Sequence, residues 1–392
     1  MLLAYKVTLR SKPTLNLLHL FALLLLCLPS SNAVEILQWG DSSRGGSFAG
    51  PTNPPPDLTN AVAVTAGFYH CLALLADGRV HAWGNNTYGQ TNVPATLSDV
   101  VAFAAGAYHN LAVTADGRVA AWGATGITDE GQTDIPSGLS NVVQVAAGES
   151  HSLALLADGT VVSWGRYPSP ATLPMFVPTN LDNCLTIASG AWHGLGITAE
   201  GNVIAWGANG RTNVPPGLSN VVALAAGRDH TFGLTAHGQL VGFGTGNPSV
   251  FSIPSFLTNV QAVASERLWT VALAADGSLV AWGDTALDFG QTNVPTGASN
   301  IVMIAAGRYH GLALNDSSSS GYGWRLPHPR LTTNGAVLEF STQRGRLYVV
   351  ERNSSLGSSS WKIEERIAGD GSTRRLNVPV QDASFYRVRR VP

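Results

Sequence analysis

Between Val62 and Leu314 one arrangement of apolar and polar positions is written seven times. A clean copy begins with Val100–Ala105, apolar at both alternating sets of positions, and breaks at Gly106-Ala107-Tyr108. A second apolar run, His109–Thr114, is followed by Asp116-Gly117 and a third run ending in Trp122-Gly123. Runs that are apolar on both faces suit strands sandwiched between neighbouring layers. Asp-Gly between two such runs signals a two-residue hairpin. The same turn recurs at Asp77-Gly78, Asp158-Gly159, Glu200-Gly201, His237-Gly238 and Asp276-Gly277. The pattern therefore predicts three strands per unit. A short fourth, outer strand is expected in the segment ending in Val-Pro, where Pro94, Pro136, Pro215 and Pro295 restrict it to an edge. The array holds no apolar run at helical spacing long enough to predict a helix.

The glycine that opens each break stands at Gly67, Gly106, Gly148, Gly190, Gly227 and Gly307, with Glu266 in its place once, at steps of 37 to 42 residues. Such a period belongs to propeller blades or solenoid repeats. The two ends of the array choose between them. The last copy stops at Leu314 before any Trp-Gly, and an orphan Trp39-Gly40 precedes the first copy. The halves complete each other if the chain closes into a ring, whereas an open solenoid would need polar caps. The predicted fold is all-β, a seven-bladed β-propeller closed by the N-terminal strand. Small residues such as Ala104-Ala105-Gly106 fall where blades converge on the axis. The large Trp39, Trp83, Trp122, Trp164, Trp206 and Trp282, with Phe243, are expected to fill the widening gaps as structural residues.

Composition adds the domain limits. Lys6, Arg10 and Lys12 precede an apolar run, Leu17–Leu28, and then Ser31-Asn32-Ala33. This reads as a secretory signal over residues 1–33. The run would rise only about 18 Å as a helix against a hydrocarbon core of about 30 Å, so no membrane insertion is expected once it is removed. Residues 34–316 hold 8 Arg, no Lys and 19 acidic residues, a net of −11, whereas 317–392 hold 12 basic and 6 acidic residues, a net of +6. The change of sign marks a linker at 317–323 and a second module at 324–392. An acidic body argues against nucleic acid as a partner. Cys71 and Cys184 lie in the first and fourth units, too far apart in a ring to pair, and read as buried small side chains.

Six histidines share one repeat position, His70, His109, His151, His193, His230 and His310, with Trp269 in the unit that lacks the glycine. One histidine per blade does not give the local spacing of a metal site. The expected role is structural, each imidazole bonding backbone groups that the preceding turn leaves unpaired. No metal or other cofactor is expected. Neither a nucleophile elbow nor a P-loop nor a dinucleotide fingerprint is present, and no catalytic set emerges.

The motif Ala-Ala-Gly-x-x-His-x-Leu-Ala-Leu-x-x-Asp-Gly-x-Val-x-x-Trp-Gly, followed by Gly89-Gln90, Gly131-Gln132 and Gly290-Gln291, resembles the repeat of the regulator-of-chromosome-condensation (RCC1) family over about residues 34–316. The resemblance implies the same closed seven-bladed propeller. The compact units and the leader are more similar to secreted bacterial members, among them the propeller-type β-lactamase inhibitory protein. In that protein, aromatic loop residues of one face carry the contact.

The residue before each histidine reads Tyr69, Tyr108, Ser150, Trp192, Asp229, Leu268 and Tyr309, and repeat equivalence gathers these positions around one mouth. Aromatic anchors around a mouth suit a protein interface. Tyr69, Tyr108, Trp192 and Tyr309 are the expected anchors, extended by Phe68, Arg228, Arg267 and Arg308. The competing reading lays these rings flat on the adjacent blade.

After the linker, strands are expected at Val337–Ser341, Arg346–Glu351, Ser360–Ile367, Thr373–Val378 and Phe385–Arg390, forming a small C-terminal β-sandwich. Arg374, Arg375, Arg387, Arg389 and Arg390 could line a basic strip on it. The expected whole is an exported monomer, in the periplasm, at the cell surface or outside the cell. It acts as a non-enzymatic scaffold that recognises a protein through one rim, with inhibition as one outcome. The alternative is attachment to the cell envelope or to carbohydrate through the C-terminal module.

Overall fold

A computed structural model describes residues 5–6, 34–40, 53–166, 176–207, 210–316, 330–332, 335–342, 345–353, 362–378 and 385–391. Seven three-stranded antiparallel sheets follow the repeats. Blade 1 comprises Ala61–Ala66, His70–Leu75 and Val80–Gly84. Blade 2 comprises Val100–Ala105, His109–Thr114 and Val119–Gly123. Blades 3 to 6 begin at Val142, Cys184, Val221 and Val260 and repeat the plan. Blade 7 takes two strands from the end of the array, Ile301–Ala306 and Gly311–Asp316, and its third from the start, Val34–Trp39. Trp39 stands opposite Gly311 and Ile36 opposite Leu314. That is the register of Trp122 opposite Asn110 in blade 2, since Gly311 follows His310 as Asn110 follows His109.

The repeat motif is explained by what lies between blades. A Cβ on Gly106 would sit 2.5 Å from both His109 Cε1 and the Gly148 carbonyl oxygen of the next blade, so only glycine lets the imidazole fold back and the next blade approach. Gly123 of Trp-Gly has φ +92°, and a Cβ there would meet the Tyr108 carbonyl oxygen at 2.5 Å. The histidines are buried. The sequence expectation that they bond the turn backbone is corrected: except in His230, which meets the rings of Phe232 and Phe251, the Nε2 atoms reach side chains of the following blade. His70 pairs with Asn110 Oδ1 at 2.7 Å, His109 with Ser152 Oγ at 3.0 Å, His151 with Ser189 Oγ at 2.6 Å and His193 with Thr231 Oγ1 at 2.9 Å. Asn110 and Ser152 in turn donate to the carbonyls of Gln90 and Gln132, at 2.8 Å each. These carbonyls also accept the indole N–H of Trp122 (3.1 Å) and Trp164 (2.9 Å). The glutamine side chain is buried too, its Oε1 accepting from Tyr88 N and its Nε2 donating to Asn85 Oδ1 in the loop it closes. Gly-Gln is thus the receiving half of a latch whose other half is His and Trp of neighbouring blades.

The same latch closes the ring. His310 of blade 7 lies 3.1 Å from Cys71 Sγ of blade 1, and the Trp39 indole donates to Gln291 O at 2.8 Å. Ile36, Leu312 and Leu314 pack with Ala61, Val64, Cys71 and Trp83 in one cluster across the seam. In blade 6, Trp269 occupies the histidine position and donates to Gly307 O at 2.9 Å, so a larger ring spans the same gap. Cys71 and Cys184 are buried free thiols.

The expected fourth strand is corrected. The segments leading to Val-Pro are successive turns rather than outer strands, with Asn92 N donating to Gly89 O and Leu97 N to Pro94 O. The proline ring and the close turns leave no ladder edge to extend. After the array, the chain forms two further sheets. One holds Arg330–Thr332, Gly335–Ser341 and Thr373–Val378. The other holds Lys362–Ala368, Leu347–Asn353 and Phe385–Val391, with Tyr5–Lys6 on its last edge. The expected linker at 317–323, most of the expected leader and Trp361 lie outside the described residues, as do the side chains of Arg375, Arg387, Arg389 and Arg390.

Trp39→Ala should cost about 3–5 kcal/mol in denaturant unfolding, as for a large core aromatic, because it opens the seam rather than one blade. Burial also holds His109, His151 and His310 at a pKa of about 3 and His70, His193 and His230 at about 4, below the ordinary 6.5. The unfolded chain therefore takes up protons that the folded chain refuses as pH falls from 6.5 towards 4. Stability present above pH 6.5 should be lost across that window. Urea midpoints measured from pH 7.5 to 4 should fall steeply below 6.5, and a flat profile would contradict the buried neutral histidines.

Candidate functional site

In every blade the turn between the first and second strands emerges at the same mouth of the axial channel. This mouth carries Phe68, Tyr69, Tyr108, Trp192, Arg228, Arg267, Arg308 and Tyr309. The structure brings four of the aromatic residues together. Phe68 and Tyr69 are buried, Tyr108 and Tyr309 half-buried, and all belong to one cluster with Ala107. Ring centroids are 5.6 Å apart for Phe68 and Tyr108 and 6.2 Å for both Phe68–Tyr69 and Tyr69–Tyr309. The chain of rings continues to Tyr88, 5.2 Å from Tyr108, and to Phe289, 4.8 Å from Tyr309.

Arginine binds this plate together. The Arg308 guanidinium carbon lies 5.1 Å from the Phe68 ring and 5.3 Å from those of Tyr69 and Tyr309, a cation–π cage on three sides. Arg267 donates to the Tyr309 hydroxyl at 2.6 Å and stands 5.7 Å from that ring. Its backbone adopts φ +44°, which turns it back over the mouth. The remaining sector, from blades 3 to 5, is polar. Asp229 is held by Arg211 at 2.5 Å, Arg228 is exposed, and Trp192 is half-buried with no ring contact to another described aromatic residue. Trp192 thus stands apart from the plate that Tyr69, Tyr108 and Tyr309 form.

Two carboxylates sit beneath the arginines. Burial pushes the Glu266 carboxyl up to about 8, opposed by the Arg267 N–H that donates to Oε1 at 3.0 Å. Glu149 is also raised by burial, against the pull of Arg228, Arg308 and Arg267. Burial raises the Tyr69 and Tyr108 phenols as well. Glu266 lines an axial cavity of about 340 Å³ whose walls are the inner strands of the blades. With Glu266 protonated at neutral pH, the mouth carries a local positive excess on an otherwise acidic ring. Among the described residues no cluster of three or more His, Cys, Asp or Glu could hold a metal ion.

Sequence reasoning missed Tyr88 and Phe289. Both precede a Gly-Gln pair, as Glu130 does in blade 2, and that alignment was the available signal. It also missed that Arg308 is the hub of the plate, since Phe68 and Tyr69 of the first repeat meet it only after closure.

Five segments, residues 61–90, 100–132, 142–166, 185–212 and 221–247, match the profile of the regulator of chromosome condensation (RCC1) repeat. No curated protein sequence matches the chain. Among solved structures, Prp20p from Saccharomyces cerevisiae, described with its binding to Gsp1p and histones, is 22% identical with a TM-score of 0.58. That match covers 72% of this chain and 91% of Prp20p. Yeast RCC1 (Prp20) in the structure with bound Kap60 gives 20% identity, coverage of 81% and 97%, and a TM-score of 0.56. Human WBSCR16 gives 19% identity, coverage of 73% and 99%, and a TM-score of 0.55. These likenesses establish the propeller fold.

Glu266→Gln provides a check on the mouth. A carboxyl raised to about 8 in the folded chain binds a proton that the unfolded chain releases near 4.5, so wild-type stability drains away as pH rises between those values. The variant is spared this loss. Its melting temperature should match wild type near pH 4.5 and exceed it increasingly up to pH 8, and a constant difference would refute the raised carboxyl.

Proposed function

We propose that this propeller, built of RCC1-type repeats, is an exported, non-enzymatic scaffold that takes a protein partner at its arginine and aromatic mouth. Inhibition of an exported enzyme is one outcome that such binding can have. The observation that carries the reading is the plate itself: six aromatic rings and two arginines locked together at one mouth, bordered by Trp192 and the exposed Arg228. Tyrosine, tryptophan and arginine are the side chains that dominate protein interfaces, and a preorganised set loses little entropy on binding. The solved relatives that are described with bound or binding proteins, Prp20p among them, support the same use of the fold.

Catalysis finds no support in the residues that come closest to it. Ser189 Oγ lies 2.6 Å from His151 Nε2, the spacing of a nucleophile and its base. Burial holds that imidazole at a pKa of about 3, and no partner among the described residues orients its Nδ1. So weak and unoriented a base does not activate a hydroxyl. Export rests on the leader read in residues 1–33, whose removal takes only Tyr5–Lys6 from the edge of one C-terminal sheet.

The mature chain, used as bait against the envelope and medium of its native organism, should retain a specific protein. Replacing Trp192 and Arg228 together by alanine should weaken that capture by roughly tenfold or more, while the melting temperature stays within a few degrees because neither side chain serves the plate. Undiminished capture would move the interface elsewhere.

A further inference from the structure

The opposite mouth of the channel, where the Asp-Gly turns emerge, is occupied by the chain's own C-terminal module. Gly345, in a turn at φ +72°, donates its N–H to Val101 O at 2.6 Å, and a Cβ there would stand 3.0 Å from Ala63 Cβ. Arg346 donates to Val302 O at 3.3 Å. Val101 and Val302 both lie at the starts of inner strands, so the turn spans from blade 2 to blade 7 over blade 1, which lies between them. Gly345, Arg346 and Leu347 form part of the wall of the axial cavity. Leu347 and Val349 enter one apolar cluster with Val143, Leu155, Cys184 and Leu185 of blades 3 and 4.

A single arginine completes the contact. Arg366 is only 7% exposed, and its guanidinium donates to Cys184 O at 2.9 Å and Ala157 O at 3.2 Å. It lies against Gly159 of an Asp-Gly turn, where a Cβ would meet Nη2 at 2.8 Å. Asp158 attracts this guanidinium without pairing with it, and a buried guanidinium with no bonded carboxylate is costly unless carbonyls receive its protons. The two carbonyls belong to the propeller, so the Nε and Nη1 donors of Arg366 have these acceptors only while the module is seated. The net charges of the two parts, −11 and +6, favour the same arrangement.

We infer that the C-terminal module is a built-in stopper: Gly345–Val349 and Arg366 act as a permanent ligand of the far mouth, which turns the channel into a blind chamber and leaves the propeller one face for partners. The module is then neither a tethered adhesive arm nor an independent unit. This assignment stands apart from the protein-binding proposal, because its test needs no partner.

The test reads the two propeller cysteines in the full chain by thiol labelling followed by peptide mass spectrometry. Cys184 lies under the module and Cys71 in the ring seam, so Cys71 reports on the ring itself. In the variant carrying Arg366→Ala and Leu347→Asp, Cys184 labelling should rise about tenfold or more through local opening, while Cys71 stays protected. Cys184 as protected as in wild type, with Cys71 unchanged, would overturn the stopper. Should Cys71 open too, the ring has failed, and the wild-type chain decides. The Gly345 amide, whose acceptor is a propeller carbonyl, should exchange with deuterium as slowly as blade amides, and exchange at the rate of an open turn would overturn the assignment.

Discussion

The latch between successive blades is the constraint on which the rest of this structure depends. In blades 1 to 4 a buried imidazole has its Nε2 paired by a side chain of the next blade: Asn110 for His70, Ser152 for His109, Ser189 for His151 and Thr231 for His193. A buried polar group without its partner costs roughly 1–3 kcal/mol, so each of these blades depends on the seating of its neighbour. Around a ring, this dependence of blade on blade ends only in closure. Cys71 receives His310 and Gln291 receives Trp39, and these two contacts do for the seam what the histidine pairs do for the four junctions from blade 1 to blade 5.

The two mouths follow from the same constraint. Within Gly-x-x-His the glycine and histidine are committed to the latch, and the two residues between them are free of it. Their side chains vary from Phe68-Tyr69 to Glu149-Ser150 and Arg228-Asp229. Variation at a geometrically fixed position is how a symmetric ring acquires an asymmetric face. Here it produces an aromatic sector held by Arg308 and Arg267 and a polar sector held by Arg211 and Asp229. At the far mouth the Asp-Gly turns are bound by hairpin geometry and offer carbonyls and a glycine gap, which receive a foreign guanidinium and a turn.

Much of the fold was legible in the sequence because repetition multiplies a weak signal. One Asp-Gly proves little, but four of them, with Glu200-Gly201 and His237-Gly238 in the same register before each Trp-Gly or Phe-Gly, fix the strands, and the split unit fixes the closure. What lay outside the sequence pattern was anything that joins residues from different repeats. The histidine partners are side chains about 40 positions away, and the periodic pattern points only to the turn beside each histidine. The rings of Tyr69 and Tyr309 come from opposite ends of the array, and their shared cation is visible only once the ends meet. The absence of a fourth strand has a local cause: Gly89, Asn92 and Pro94 each favour a turn, and together they outweigh the apolar Val93.

Rigidity and recognition are linked in such a ring. Phe68 and Tyr69 are too deeply packed to reach far into a partner, so their part is to hold Arg308, Tyr108 and Tyr309 in place. The residues that can reach outward are the half-buried and exposed ones at the edge, Trp192 and Arg228 in the polar sector. A plate fixed by cation–π contacts with reaching side chains beside it combines low reorganisation with adjustable chemistry. The chemistry is adjustable because burial raises the carboxyls of Glu266 and Glu149 beside these arginines, so each holds its proton to higher pH than a free carboxyl and opposes the guanidinium charges less. That burial is fixed by the convergence of the inner strands on the axis.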